Sequence, residues 1–165
     1  MTDYIPKDDV TFGFLDHAPE AIPERPLTAW EQSAIAKLLA ADFPERLQLR
    51  AQAERLIVTG RCPDCPTVEF RVAAQVPPAV ADDNTPMTGV VPFAIQGKLD
   101  DGMSYMVLLH VSGGYLRELQ TYRGDSGPLP VTPDIQACTL LRIPGRDDEV
   151  GSLTDAATDS AASTD

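Results

Sequence analysis

Two cysteines separated by two residues are the clearest chemical signal in this sequence. Cys62 and Cys65 stand in the stretch GRCPDCPTVEF. Structural zinc sites usually take four ligands, commonly supplied as two spaced pairs, and this stretch supplies one pair. The third cysteine, Cys138, stands alone, and neither His17 nor His110 is near it in the sequence. The spacing makes Cys62 and Cys65 candidate metal ligands, with zinc as the candidate ion, provided that two distant ligands converge on them.

The same pair fits two other interpretations. A thioredoxin-like redox pair lies at the start of a helix, whose dipole lowers the pKa of the first thiol. Here Pro66 follows the second cysteine and an alternating strand pattern follows Pro66, so the required helix is missing. Gly60, Pro63 and Asp64 are turn-forming residues, and small cysteines pack well at strand ends. The pattern favours a tight turn that leads into a strand, with the metal and redox hypotheses as alternatives.

The remaining candidate catalytic groups give little support for an enzyme. His17 lies in a proline-rich segment, and His110 lies in an apolar run on the same strand face as Met106 and Leu108. A histidine in such a strand is more often bonded to its neighbours than used as a base. The sequence has no nucleophile elbow, phosphate-binding loop, dinucleotide fingerprint, zinc-protease motif or calcium loop. We therefore predict no catalytic residue and favour a non-enzymatic role.

Composition and charge argue against several classes of protein. The chain has 165 residues, of which 43% are hydrophobic, which is enough to bury the core of one domain. The formal net charge is −12, and six acids lie in each of the ranges 1–25 and 147–165. A nucleic-acid-binding protein would need a concentrated basic face. No apolar run reaches the ~18 residues of a membrane span. The acidic N-terminal residues are unlike a secretory signal, so the cysteines predict a reduced, cytoplasmic protein.

Helical patterns come before the strand patterns. Thr28 and Glu31 have the spacing of a capping box. Apolar residues follow at helical spacing, namely Trp30, Ala34, Ile35, Leu38 and Leu39. Asp42 and Pro44 are typical of the N-cap and first turn of a second helix. Two short helices are therefore expected near the start of the domain.

Strand patterns then cover residues 56–59, 67–74, 90–99, 104–112 and 115–122, and residues 137–143 form either an edge strand or a short turn. Asp100–Gly102 and Gly113–Gly114 are hairpin turns between the last three of the five strands. Alternation along residues 115–122 places Leu116 and Glu118 on one face. The predicted fold class is α+β, with two N-terminal helices packed on an antiparallel sheet of about five strands.

Three segments are expected along the chain. Residues 1–26 form an extended proline-containing arm, residues 27–146 form a single α+β domain, and residues 147–165 form a disordered acidic tail. The arm contains Val10, Phe12 and Phe14 at a spacing of two, and apolar side chains are costly to leave in water. We expect part of the arm to pair with the core or lie across it, or else to be covered by a partner protein.

The order of several motifs resembles a group of small bacterial proteins found widely in actinobacteria. The motifs are L-T-x-W-E at Leu27–Glu31, L-L-A-x-D-F-P at Leu38–Pro44, L-R-x-Q at Leu49–Gln52, V-x-G-R-C-x-x-C-P-T-V-x-F at Val58–Phe70, and L-H-V-x-x-G-Y-L-x-E-L-x-x-Y at Leu109–Tyr122. The resemblance covers roughly residues 27–125. It implies a small α+β domain and no particular activity.

These observations lead to two functional expectations. The first is a non-enzymatic, acidic protein-binding module, such as an immunity protein or an accessory regulatory protein, whose partner is another protein rather than nucleic acid or a membrane. The second is a metal- or thiol-dependent protein that uses Cys62 and Cys65.

Overall fold

The computed structural model describes residues 19–144 except residues 74, 126 and 130. Within these residues the strands are β1 (Glu20–Arg25), β2 (Leu56–Arg61), β3 (Val68–Val72), β4 (Gly89–Val90), β5 (Phe93–Lys98), β6 (Ser104–Ser112), β7 (Tyr115–Arg123) and β8 (Thr139–Arg142). The helices are α1 (Ala29–Ala40) and α2 (Arg46–Ala53), and Ile135–Ala137 form a 3-10 turn. The strands make one antiparallel sheet in the order β1-β2-β3-β7-β6-β5-β8, and β4 pairs with β6.

The predicted fold class is wrong. The described part of the chain is mostly β, because its sheet has eight strands rather than about five. The helices lie between β1 and β2 rather than before the first described strand. One additional strand, β1, contains Pro23 in a segment with no regular alternation. A second comes from the predicted strand 90–99, which is divided into β4 and β5 around Pro92, a residue without an N–H for the ladder. The short strands β1 and β4 form only because they pair with β2 and β6, which are distant from them in the sequence.

The expected arm contributes a strand to the sheet. Residues 20–25, within the predicted arm 1–26, form β1, and Ala21 of β1 lies opposite Gly60 of β2. Residues 1–18 of the arm and the predicted tail 147–165 lie outside the described residues. The boundaries of the domain predicted at 27–146 stay predictions.

The two helices begin for different reasons. The capping box at the start of α1 is confirmed, since the Glu31 N–H donates to Thr28 Oγ1 at 3.3 Å and the Thr28 N–H donates to Glu31 Oε2 at 2.8 Å. The predicted cap at Asp42 is wrong. The second helix begins at Arg46 and no side chain caps it, because Asp42 is too far from its first turn. The Asp42 carboxylate is 93% exposed and pairs with Arg46 instead.

Both helices cover one face of the sheet. Helix α1 contacts β5 and β6, and α2 contacts β7. The core between the helices and this face includes Ala34, Ile35, Leu38, Leu39, Leu49, Ile95, Val107, Leu109, Leu116 and Leu119. Burying each large aliphatic side chain contributes roughly 1.5–3 kcal/mol. The opposite side of the sheet is called the outer face below. No described helix is both long and apolar enough to cross a membrane.

The β5-β6-β7 meander is confirmed, and so are its two turns. Gly102 has φ +81°, and Gly113 and Gly114 have φ +57° and +82°. These left-handed conformations favour glycine because it lacks a Cβ. The meander thus supplies the centre of the sheet. Strand β3 pairs with β7 of the meander, and residues 62–67 before β3 are called the cysteine turn below.

Candidate functional site: the cysteine turn and its cleft

The cysteine turn connects β2 to β3, and backbone hydrogen bonds fix both its base and its tip. Cys62 N–H donates to the Thr67 carbonyl at 2.8 Å, which closes the turn across its base. Leu129 N–H donates to the Asp64 carbonyl at 2.9 Å, which ties the tip of the turn to the segment after β7. No helix follows Cys65, because Val68–Val72 is β3. The prediction that this stretch is a tight turn leading into a strand is therefore confirmed.

The turn brings the two thiols together. Cys62 is only 5% exposed, whereas Cys65 is half-buried. Burial raises the pKa of the Cys62 thiol to about 11, and a hydrogen bond with the Cys65 side chain acts in the same direction. The backbone N–H groups of Asp64 and Cys65 also donate toward Cys62 and act in the opposite direction, because they favour its thiolate. Cys62 is thus a protonated, shielded thiol at neutral pH, unlike the activated first thiol of a redox pair.

A cleft of about 330 Å³ opens beside the two thiols. Helix α1 supplies Trp30 and Glu31 to its wall, and Arg25 and Arg61 come from β1 and β2. The Glu31 carboxylate accepts two hydrogen bonds from the Arg25 guanidinium, at 2.8 and 2.9 Å. The same carboxylate belongs to the capping box, so the start of α1 and the end of β1 are fixed at one point of the cleft.

The other sequence-level metal candidates lie elsewhere. Cys138 hydrogen-bonds with the Tyr105 hydroxyl, and its thiol also donates to the Asp134 carbonyl at 2.8 Å. His110 lies on the outer face, and its Nε2 is 2.9 Å from Gln120 Oε1. Within the described residues, no group of three or more Cys, His, Asp or Glu side chains is arranged to hold a metal ion. The two cysteines converge as a pair, and the assignment of zinc to them stays a prediction.

The surroundings of His110 agree with a histidine bonded to its neighbours. Burial lowers the pKa of the His110 imidazole, and its hydrogen bond to Gln120 acts in the opposite direction. Gln120 is itself buried. An imidazole that is neutral and engaged in this way is a poor match for a solvent-facing general base.

A row of polar groups on the outer face could not be identified from sequence. Glu69 of β3 lies opposite Glu118 of β7, and Glu118 lies opposite His110 of β6. Burial raises the pKa of the Glu118 carboxyl to about 7, and the charge of Glu69 raises it further. Each residue occupies an ordinary alternating position in its own strand. Only the register between β3, β7 and β6 places the three side chains in one row.

A β-bulge also changes which residues face the core. His110 lies opposite Glu118, but the next residue, Val111, lies opposite Leu116. Arg117 is therefore the extra residue in β7, and the alternation shifts there by one position. Leu116 is completely buried in the core instead of sharing the face of Glu118, as alternation predicted.

Comparisons of this chain with protein-family models, curated proteins and solved structures found no match. The resemblance to the actinobacterial group stays a prediction. Functional conclusions for this chain therefore depend on its own residues and their geometry.

Proposed function

We propose that this chain is a non-enzymatic protein-binding module that accepts an extended segment of a basic partner protein as an additional strand along β8. Such a role is that of an immunity protein or an accessory regulatory protein. The observation that supports the proposal is the unequal protection of the two edge strands, β1 and β8, against pairing with another chain.

The edge at β1 carries the features that prevent strand addition. Its sequence is EAIPER, so Pro23 removes one N–H from the strand and three of its six residues are charged. Proline and charged residues on edge strands are a common protection against edge-to-edge association. The pairing of β1 with β2 is also irregular between Ala21 and Arg25. A partner strand would form few bonds here.

The edge at β8 carries no proline. Its sequence is TLLR, and it pairs with β5 through Ala94–Leu141 and Ile95–Leu140. Ile143 N–H donates to the Pro92 carbonyl at 2.9 Å. Backbone bonds in an antiparallel pair alternate between its two sides. The N–H and C=O groups of Leu140 and Arg142 therefore point away from β5.

No strand in the described part of the chain pairs with this side of β8. An extended peptide that bonds to the Leu140 and Arg142 backbone groups would extend the described sheet by one strand, a mode of recognition that other sheets use for peptides. Leu141 is 36% exposed and offers an apolar contact beside that edge. The formal net charge of −12 favours a partner of positive charge through its effect on association. A reduced, cytoplasmic location remains part of the proposal.

A pair of leucine variants tests this proposal. Leu141→Lys places a charge beside the β8 edge, whereas Leu47→Lys places the same charge on α2 at a leucine that is 65% exposed. A partner captured under native conditions is identified by mass spectrometry, purified and titrated calorimetrically. We expect at least a ~10-fold weaker affinity for Leu141→Lys, equal to about 1.4 kcal/mol, and an unchanged affinity for Leu47→Lys. Equal effects of the two variants, or recovery of no stoichiometric partner, would contradict the proposal.

A further inference from the structure

Strands β3 and β7 pair at two positions and then separate. The two pairs are Val68–Leu119 and Glu69–Glu118. Beyond them, the last three residues of β3 continue to pair with β2. Strand β7 bulges there instead, at Arg117. The sheet therefore opens between the C-terminal end of β3 and the N-terminal end of β7.

A cavity of about 200 Å³ occupies this opening. It is smaller than the ~300–1,000 Å³ that is typical of sites for whole small molecules, so it suits one functional group of a ligand. Strand β3 contributes Arg71 to the lining, and β7 contributes Tyr115 and Arg117. None of the described residues that line the cavity is an acid. Two guanidinium groups from different strands thus share a small open cavity.

The guanidinium of Arg71 already holds an oxyanion. Its Nε and Nη2 atoms donate to the two oxygens of the Glu24 carboxylate, each at 2.8 Å. The two side chains are 43% and 54% exposed, and exposed ion pairs contribute little to stability. The Glu24 carboxylate is therefore a weakly held internal partner, which a ligand of higher charge can replace.

The guanidinium of Arg117 lies on the β7 side of the cavity. Its central carbon is 5.9 Å from the centroid of the Tyr115 ring, within the ~6 Å range of a cation–π contact. A guanidinium that lies over a ring keeps its in-plane N–H donors for other partners. No acid among the described residues forms an ion pair with Arg117. Its donors are thus available to a ligand.

We propose that this cavity binds a phosphate monoester through Arg71 and Arg117. A carboxylate has two oxygens, and a single guanidinium occupies both, as Glu24 shows for Arg71. The phosphate group of a monoester has three acceptor oxygens and a charge of about −2. It can therefore accept hydrogen bonds from two arginines on different strands. The Gln75 side-chain amide, which also lines the cavity, supplies a further donor.

The charge of the chain distinguishes such a site from non-specific attraction. The formal net charge of −12 repels anions. Glu69, two residues before Arg71 on β3, adds a negative charge close by. A saturable response to phosphate must therefore come from contacts with the guanidinium groups. The site is also separate from the β8 edge, because β6 and β5 lie between β7 and β8.

Titration of the nitrogen-15-labelled full-length protein with methyl phosphate, at constant ionic strength, tests the proposal. Two-dimensional NMR follows the backbone amides of residues 70–73 and 115–117, which should shift saturably with one ligand per chain. Acetate should bind at least ~10-fold more weakly, because it cannot satisfy both arginines. A phosphoserine peptide and glycerol 3-phosphate are titrated in parallel. Whichever of the two binds more tightly than methyl phosphate identifies the source of the phosphate group.

Arginine variants test the two contacts. Arg71→Gln and Arg117→Gln should each weaken methyl phosphate binding at least ~10-fold, because each removes charge-assisted hydrogen bonds. Arg117→Lys keeps the charge without the planar donors and should bind with intermediate affinity. Arg46→Gln is the matched control, since it removes the same charge from another exposed ion pair, with Asp42, and it should bind like the parent chain. Circular dichroism checks the fold of each variant.

A glutamate variant tests the internal partner in the opposite direction. Glu24→Gln frees the Arg71 guanidinium and should strengthen binding about 2-fold to 5-fold, the range of an exposed ion pair. Asp42→Asn removes a carboxylate from Arg46 instead and should leave the affinity unchanged. Four results would overturn the proposal: no saturable shift of the named amides, equal weakening by Arg46→Gln and Arg117→Gln, weaker binding to Glu24→Gln, and acetate binding as tight as that of methyl phosphate.

Discussion

Glu69 and Glu118 lie directly opposite each other on β3 and β7. Like charges at opposed positions of an antiparallel pair destabilise the sheet. The pKa of the Glu118 carboxyl is raised from 4.5 to about 7, mainly by burial and further by Glu69. This pair therefore couples the stability of the central sheet to pH in the neutral range.

The first prediction concerns this pH dependence. Between pH 4.5 and about 7 the folded chain retains a proton on Glu118 that the unfolded chain loses. The contribution of Glu118 to the free energy of unfolding therefore falls as the pH rises through this window. We expect Glu118→Gln to increase the unfolding free energy at pH 8 by about 1 kcal/mol, allowing for the solvent-facing part of the side chain, and to change it little at pH 4.

Urea denaturation at the two pH values measures this difference. Glu54→Gln, at an exposed position at the end of α2, is the matched control and should change stability by less than about 0.5 kcal/mol. An identical pH profile for Glu118→Gln and the parent chain would show that the opposed carboxyls are not energetically coupled to folding.

The second prediction concerns Gln52, a fully buried side chain in α2. Its Nε2 donates to the Gly114 carbonyl at 2.7 Å and to the Pro77 carbonyl at 3.1 Å, and its Oε1 accepts from the Leu116 N–H at 2.9 Å. Gln52→Leu removes the side-chain partner of the Pro77 carbonyl and of the Leu116 N–H, whereas the Gly114 carbonyl still accepts from the Ala79 N–H. We expect a loss of about 2–4 kcal/mol, because each unsatisfied group costs about 1–3 kcal/mol.

Gln32→Leu is the control for this experiment. Gln32 donates a single bond, of 3.2 Å, to the Leu27 carbonyl at an exposed position of α1. The substitution should cost less than about 0.5 kcal/mol in the same denaturant titration. Equal losses for the two glutamine variants would mean that the three bonds of Gln52 do not anchor α2 to the β6–β7 hairpin.

The third prediction separates the two expected helix caps. Thr28→Ala removes the hydroxyl that accepts the Glu31 N–H and should lower the unfolding free energy by about 1 kcal/mol. Asp42→Ala removes only an exposed ion pair with Arg46 and should cost less than about 0.5 kcal/mol. Thermal unfolding of both variants checks this order, and a larger loss for Asp42→Ala would mean that α2 begins nearer Asp42 than the structure indicates.

The fourth prediction concerns Gly97, which lies opposite Tyr105 on β5 and β6. The Tyr105 ring covers the position that a Cβ at residue 97 would occupy. Gly97→Ala would have to displace this buried ring and its bond to Cys138, at a cost of about 1–3 kcal/mol. Gly102→Ala is not a suitable control because its φ is +81°.

Ala36→Gly, on an exposed position in the middle of α1, gives a better comparison for Gly97→Ala. It should cost about 1 kcal/mol through helix propensity alone. Near-ultraviolet circular dichroism should change for Gly97→Ala, since Tyr105 moves, and stay constant for Ala36→Gly. An unchanged aromatic signal in Gly97→Ala would contradict the predicted steric conflict.

Local signals were sufficient for the parts of this fold that depend on neighbouring residues. The capping box at Thr28, the hairpin glycines and the β5-β6-β7 meander all follow from interactions within a few residues of the chain, and all three are confirmed. The predicted cap at Asp42 is wrong, because α2 begins at Arg46 and Glu45 occupies its N-cap position.

The other features of the fold depend on pairing between strands that are distant in the sequence. Strand β1 forms because β2 is there to pair with it, and the bulge at Arg117 exchanges the faces predicted for Leu116. A shift of one residue in register moves a side chain to the other face of a sheet. The row of Glu69, Glu118 and His110 depends on that register, so no pattern within one strand could reveal it.

The sequence by itself determined a chain with an apolar core, an early capped helix, an antiparallel meander and two cysteines in a turn. These properties arise from composition, spacing and local hydrogen bonding. The tertiary structure decided that residues 19–144 contribute eight strands to one sheet, that Trp30 shares a cleft with Cys62 and Cys65, and that two carboxyls face each other on the outer face. Those relationships join residues that are distant in the chain, and only the packing of the complete sheet brings them together.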